Sequence, residues 1–376
     1  MRFREILATC VTTALWSGTA CGQAGSVESL DIRVPLAPQP VRIGETTHLF
    51  YELHLTNYAN SAVTLTDVAV LDANSSVLKH YRGDALTDVL DRPTSAQDAE
   101  PRSVPAGMYG VIYVTLPLEA ATPANLSHRI GLSIPVRNEP RTVTLNSDVL
   151  AIDARALPEL SPPLRGGLWA ALYAPEMERG HRRVLYTVGG RARLPGRFAV
   201  DFVGVDAEGK THKGSGERAS DYFGYGADVL AVSDGVIAAV RDDFKDPETL
   251  AAAEHPNIGD ATGAYVALDI GGGRYAFYEH LRAGVAVKVG QKVRRGERLG
   301  ALGVTGQASS PHLHFHLANA NAPLAAEGIP YHFTRYRVLG GYSSIMEFGK
   351  QPWQPLPAPK VISKSLPAAN VVVSFD

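Results

Sequence analysis

The sequence predicts an all-β protein of two domains. Three observations carry that expectation. Apolar and polar residues alternate with period two in one stretch after another, as in His48-Leu49-Phe50-Tyr51-Glu52-Leu53-His54-Leu55. The runs are short and punctuated by Gly, Pro, Asn, Asp and Ser, with no sustained helical period. The chain, at 376 residues, is too long for one small core.

In chain order, residues 1–24 read as an export signal. Met1-Arg2-Phe3-Arg4 is a basic start, Ile6 to Trp16 a short apolar run, and Ser17-Gly18-Thr19-Ala20 a small-residue end. The run is too short for a good membrane span. The mature protein is therefore expected in the periplasm or outside the cell. Both cysteines, Cys10 and Cys21, lie here, so the mature chain forms no internal disulfide. Cys21 follows Gly18-Thr19-Ala20, loosely like a bacterial lipobox, although Gly18 stands where such boxes usually have Leu. A membrane anchor through a lipidated Cys21 and a soluble form both stay open.

Residues 25–155 read as a β-sandwich, with an immunoglobulin-like arrangement as one option. Its strands are His48 to Asn57, Ser61 to Leu71, Gly110 to Leu116, His128 to Ile134 and Arg141 to Leu145. Residues 156–165 hold Pro158, Pro162 and Pro163 and read as a linker. Residues 166–340 form a second β-rich domain. Ser233-Asp234-Gly235 and Gly271-Gly272-Gly273 are its clearest hairpin tips. Residues 341–376 are a Pro-rich extension that either packs extended or frays. Lys+Arg and Asp+Glu nearly balance at 36 and 38, which argues against a polybasic nucleic-acid surface.

The stretch most telling of function is Pro311-His312-Leu313-His314-Phe315-His316-Leu317. In a strand, His312, His314 and His316 share one face, while Leu313, Phe315 and Leu317 share the other. Imidazoles spaced in this way reach one metal ion, or the ion and its water, and imidazole is also a base near neutral pH. A half-exposed strand with three solvated histidines is the bland alternative. The Gly- and Ser-rich approach from Gly303 to Ser310 argues against it, because such loops often form the mouth of a site.

An ordered set of motifs around this strand closely resembles the M23 peptidases of the lysostaphin and LytM type. The motifs are Gly226 to Val236, Tyr278-Glu279-His280-Leu281, the glycine-spaced run from Val287 to Gly296, Gly303-Val304-Thr305-Gly306, and Pro311-His312-Leu313-His314-Phe315. The resemblance spans roughly Arg197 to Leu317. It implies a small antiparallel sheet and a zinc endopeptidase, usually of peptidoglycan. It also implies roles: Asp201 and His314 as zinc ligands, His312 as general base, and His280 as the histidine that stabilises the transition state.

One departure matters. Arg197 stands where the family has its first histidine ligand, and a guanidinium cannot bind zinc. His181, in Gly180-His181-Arg182-Arg183, is the best replacement if the chain doubles back through Gly189-Gly190. His212 and His316 are weaker candidates. Two functional readings follow. One is an exported Zn2+ endopeptidase acting on cell-wall peptide. The other is an inactive M23-like module that binds the wall or activates a partner hydrolase. A biotinyl- or lipoyl-like carrier domain shares the glycine-spaced pattern, but no exposed carrier lysine on a tight turn supports it.

Overall fold

The computed structural model describes residues 30–93, 100–119, 121–136, 139–173, 180–252 and 257–376. The predicted export signal, with Cys10 and Cys21, lies outside the described residues. The chain is nearly all β.

Two antiparallel sheets form the N-terminal part. In one, the strands Leu30–Arg33, Thr46–Asn57, Tyr109–Leu118 and Leu90–Asp91 follow in that order, with Val41–Ile43 against Thr46–Asn57. In the other the order is Arg141–Asn146, Asn125–Ile134, Val63–Leu71 and Val77–Arg82. One core draws on both. Leu49, Tyr51, Leu53, Leu55, Ile112, Val114 and Leu116 from the first sheet meet Leu65, Val68, Val70, Ile130 and Leu132 from the second.

Period two then decides what the first sheet shows on its other face. Phe50, Glu52, Val111 and Tyr113 point away from that core, yet all four are buried. Phe50 belongs to the core of the C-terminal part, and Val111 and Tyr113 pack with Leu194 and Leu185. The C-terminal half therefore covers this face.

The C-terminal half is built on an eleven-stranded sheet. Its middle runs Gly166–Leu172, Val200–Gly204, Leu313–Ala318, Tyr275–Leu281, Ala264–Asp269 and Gly235–Arg241, all antiparallel. Two stretches read from sequence as linker and extension also supply strands. Glu159–Leu160 pairs in parallel with His332–Gly341, and Gln354–Ser365 and Val371–Phe375 pair antiparallel with that same strand. Pro-rich sequence obscures Gln354–Ser365, but its prolines stand at the sheet edge, where a missing N–H costs little. Val200, Phe202, Tyr278, Leu313, Phe315 and Leu317 fill the core on one face of the sheet. Their neighbours Asp201, Glu279, His314 and His316 are left on the other.

Candidate active site

The central strands place the first three residues of the site. Asp201 on Val200–Gly204 stands directly opposite His314 on Leu313–Ala318, and Glu279 on Tyr275–Leu281 stands opposite His314 on the other side. His314 Nδ1 lies 3.0 Å from Asp201 Oδ1. Its Nε2 lies 3.2 Å from His316 Nδ1, which is 3.8 Å from Glu279 Oε1.

His181 arrives from outside the sheet. The chain reverses through Gly189 and Gly190, both at positive φ (59° and 77°), so Tyr186–Val188 pairs with Arg191–Arg193. A two-residue turn of that geometry suits glycine. Before it, His181–Arg183 forms one 3₁₀ turn that lies on Pro195–Phe198. The approach is close. A Cβ on Gly196 would stand 2.5 Å from the His181 carbonyl oxygen, so only glycine fits there. His181 Nε2 ends 3.0 Å from Asp201 Oδ2. One ligand atom from each of His181, Asp201 and His314 lies within 4.8 Å of the others, a spacing that suits a single ion.

His280 reaches the site by a break in the alternation. Strict period two would send it to the core with Tyr278. Instead its φ is 62°, and the pairing register slips between Ala264 and Val266 on the neighbouring strand. This bulge puts Glu279 and His280 on the site face and returns Leu281 to the core. Two polar residues in a row between apolar Tyr278 and Leu281 are the sequence trace of it. Among non-glycine residues, histidine is one of those that tolerate positive φ best. His280 Nδ1 donates to the Thr305 carbonyl at 2.8 Å, and Thr305 Oγ1 donates to the Leu281 carbonyl. His312 Nδ1 donates to the Ser310 carbonyl at 2.8 Å. In the neutral rings these bonds leave Nε2 bare in both. His312 Nε2 lies 3.6 Å from Asp201 Oδ1, and the His280 and His312 rings are 4.7 Å apart.

These groups line a cavity of about 340 Å³ together with Tyr186, Pro323 and Leu324. Burial opposes charge on Asp201, but His181 and His312 outweigh it and hold the carboxyl well below its usual range. Burial likewise opposes charge on His181, yet Asp201 outweighs it and raises the imidazole. Burial, then His312 and His314, push His280 well down. Burial and the Asp201 charge push Glu279 well up.

Sequence reasoning singled out His181, Asp201, His280, His312 and His314, and the structure brings all five to this cavity. It missed Glu279 and Tyr186 as lining residues; Glu279 figures there only as part of the Tyr278-Glu279-His280-Leu281 motif, and Tyr186 only as part of the segment doubling back from His181. His212 is elsewhere, its ring 5.0 Å from Tyr222. Arg197 faces the N-terminal sheet. Its guanidinium donates to Glu52, to Glu327 and to the Gly328 carbonyl.

Residues 215–326 match the model of peptidase family M23. That stretch of the chain resembles an M23 domain. That match includes His280, His312 and His314 but starts after His181 and Asp201. Among curated proteins, the peptidoglycan DD-endopeptidase ShyA of Vibrio cholerae is 35% identical over 101 residues, 27% of this chain and 20% of ShyA. The chain thus spans about a fifth of that relative's length. Similar solved structures include the catalytic domain of lysostaphin from Staphylococcus simulans, at 23% identity and TM-score 0.23, covering 39% of this chain and 85% of that one. A zinc-containing peptidase from Vibrio cholerae aligns at 15% identity and TM-score 0.24, covering 77% and 81%.

Proposed function

We propose that the protein is an exported zinc endopeptidase that cuts peptide bonds of cell-wall peptidoglycan. The observation that carries the reading is the convergence of His181, Asp201 and His314 in the lining of a cavity that is also lined by His280 and His312. The M23 match supports the peptidase class, and ShyA's name supports the substrate class. The basic, apolar and small-residue order of the first two dozen residues supports export.

The residues fit zinc. Two imidazoles and one carboxylate are a set that zinc accepts while keeping an open position. His312 Nε2 also lies 3.6 Å from Asp201 Oδ1, within reach of a water bound to such an ion. His181, Asp201 and His314 would hold the ion, which when bound would activate water and polarise the scissile carbonyl.

The remaining steps belong to the chain. His312 takes a proton at Nε2, and the Ser310 carbonyl keeps its ring in the tautomer that allows this. His280 donates to a developing oxyanion only once its Nε2 carries a proton, because Nδ1 is committed to Thr305. Arg197 does not enter the cavity, so its charge does not oppose a cation there.

Metal analysis of the purified full chain tests the reading, with about one zinc per chain expected. His314→Ala should lose the metal and all activity on peptidoglycan peptides. His312→Ala should keep the metal and lose about 10²–10⁴-fold of rate. A wild-type chain that takes up no zinc would overturn the proposal. A His312→Ala chain without metal would overturn the division between base and ligand.

A further inference from the structure

The turn that carries His181 has no place in the sheet, yet it is firmly tied down, and the ties lead to the N-terminal part. Arg182 is buried and reaches across to the strands Thr46–Asn57 and Tyr109–Leu118. It donates to Thr115 Oγ1 at 2.6 Å and to the Val114 carbonyl at 2.7 Å. Its guanidinium stacks on the Phe50 ring at 4.5 Å, and its Nε lies 3.7 Å from Glu52 Oε1. Arg183 donates to the Asp88 carbonyl and lies over the Tyr113 ring. The second turn, Pro195–Phe198, is held from the same strand. Arg197 donates through Nε to Glu52 Oε2 at 2.9 Å, and Phe198 meets Phe50 edge to face. Glu52 is 1% exposed; its Oε2 is hydrogen-bonded by Arg197, while its Oε1 meets Arg182 Nε by charge alone at 3.7 Å, with no hydrogen bond.

Glu52 therefore holds the Pro195–Phe198 turn by a hydrogen-bonded ion pair with Arg197 and faces the His181 turn by a longer charge contact with Arg182, so it sits between both turns that flank the proposed ion. One carries His181. The other supports the His181 backbone through Gly196 and leads into Asp201. We propose that Glu52 is a positioning residue for the metal centre. The N-terminal part thereby supplies supporting contacts for a ligand that lies outside the stretch matching the M23 model. This inference rests on the zinc reading above for its consequence, but the clamp is a property of the chain with or without metal. The physical reason is that a ligand on an isolated turn is only as well aimed as the groups that fix the turn. Loss of such supporting contacts typically costs about 10–100-fold in metal affinity.

The test uses the full chain with Glu52→Gln, which keeps the shape and removes the charge. Zinc affinity by chelator competition should fall at least about tenfold. The visible spectrum of the cobalt(II) form should move towards that of His181→Ala, which a fall in the folded fraction alone would not produce. Hydrogen exchange at residues 181–183 of the metal-free chain should quicken. A folded Glu52→Gln chain with wild-type affinity, spectrum and exchange would overturn the inference. Should Glu52→Gln fail to fold, Arg182→Met is read in the same way. It keeps bulk over Phe50 and leaves Glu52 paired with Arg197, and wild-type values there would equally overturn the clamp. A wild-type chain that binds no zinc sinks the functional reading instead, and the exchange measurement then decides the clamp alone.

Discussion

At the residue scale, His181 and Asp201 form a coupled pair whose pH behaviour follows from opposite shifts. His181 is raised, so its share of stability in the metal-free chain is full below the unfolded imidazole value of about 6.5 and is lost as pH rises through its folded pKa. Asp201 is depressed, so its share is full above about pH 3.9 and is lost as pH falls through its folded pKa. The pair stabilises the metal-free chain most between about pH 4 and about pH 6.5. Zinc needs His181 neutral, so protons compete with it below the raised pKa. Zinc affinity measured by competition should therefore climb from about pH 6 towards about pH 8, by up to about tenfold per unit. A flat profile across that range would contradict the pairing. The shared face of His312 and His314 can be read from their spacing in the sequence, and their roles from the resemblance to the M23 peptidases, but His181 cannot be placed either way. His181 follows no period, and nothing between residues 181 and 201 states that the chain folds back on itself except Gly189-Gly190.

At the element scale, the bulge at Glu279–His280 and the loop at Thr305 form one device. Gly306 has φ 76°, and a Cβ there would stand 2.3 Å from the Gly263 nitrogen. Gly263 in turn faces Thr305, whose Oγ1 accepts from the Ala264 N–H and whose carbonyl holds His280. Gly306→Ala should therefore cost at least about 2 kcal/mol, from a strained backbone and a clash that neither strand can yield to. Thermal unfolding should show the loss. The folded fraction should keep its zinc, because the three proposed ligands lie on other segments, but its kcat should fall as His280 loses its aim. Unchanged kcat in a folded Gly306→Ala chain would mean that the Thr305 carbonyl does not set the His280 ring. The sequence shows a glycine-bracketed Gly303-Val304-Thr305-Gly306 loop, and period two would send His280 to the core. The strand pairing that bends it to the site is a contact with Ala264–Asp269 that no local pattern encodes.

At the scale of the whole molecule, the N-terminal and C-terminal parts share more than a linker. Phe50 lies within the C-terminal core, Leu366 pairs with Ile43, and Ser365 Oγ donates to the Gly44 and Arg42 carbonyls. Glu52, Arg182, Arg197 and Glu327 form a buried network in which two negative charges face two positive ones. Separating the parts would expose that network and the apolar face around it, at a cost a small domain does not easily absorb. Urea unfolding followed by hydrogen exchange should thus show residues 46–57 and 313–318 opening together in one transition. Two well-separated transitions would show that the interface contributes little.

By itself the sequence determined the strand content and the two faces of Leu313–Ala318. With the resemblance to the M23 peptidases it also offered candidate ligands and bases: His181, Asp201, His280, His312 and His314, with His212 and His316 as weaker choices. Period two and side-chain chemistry are local, so they survive without knowledge of the fold. Only the tertiary structure decided that His181, and not His212, meets Asp201. It alone decided that His280 turns out of register, and that Arg197 is committed to a carboxylate 145 residues away. Each of these depends on segments far apart in the chain being brought within a few ångströms. The sum of packing across the whole core sets that proximity, and no pattern within any one segment can.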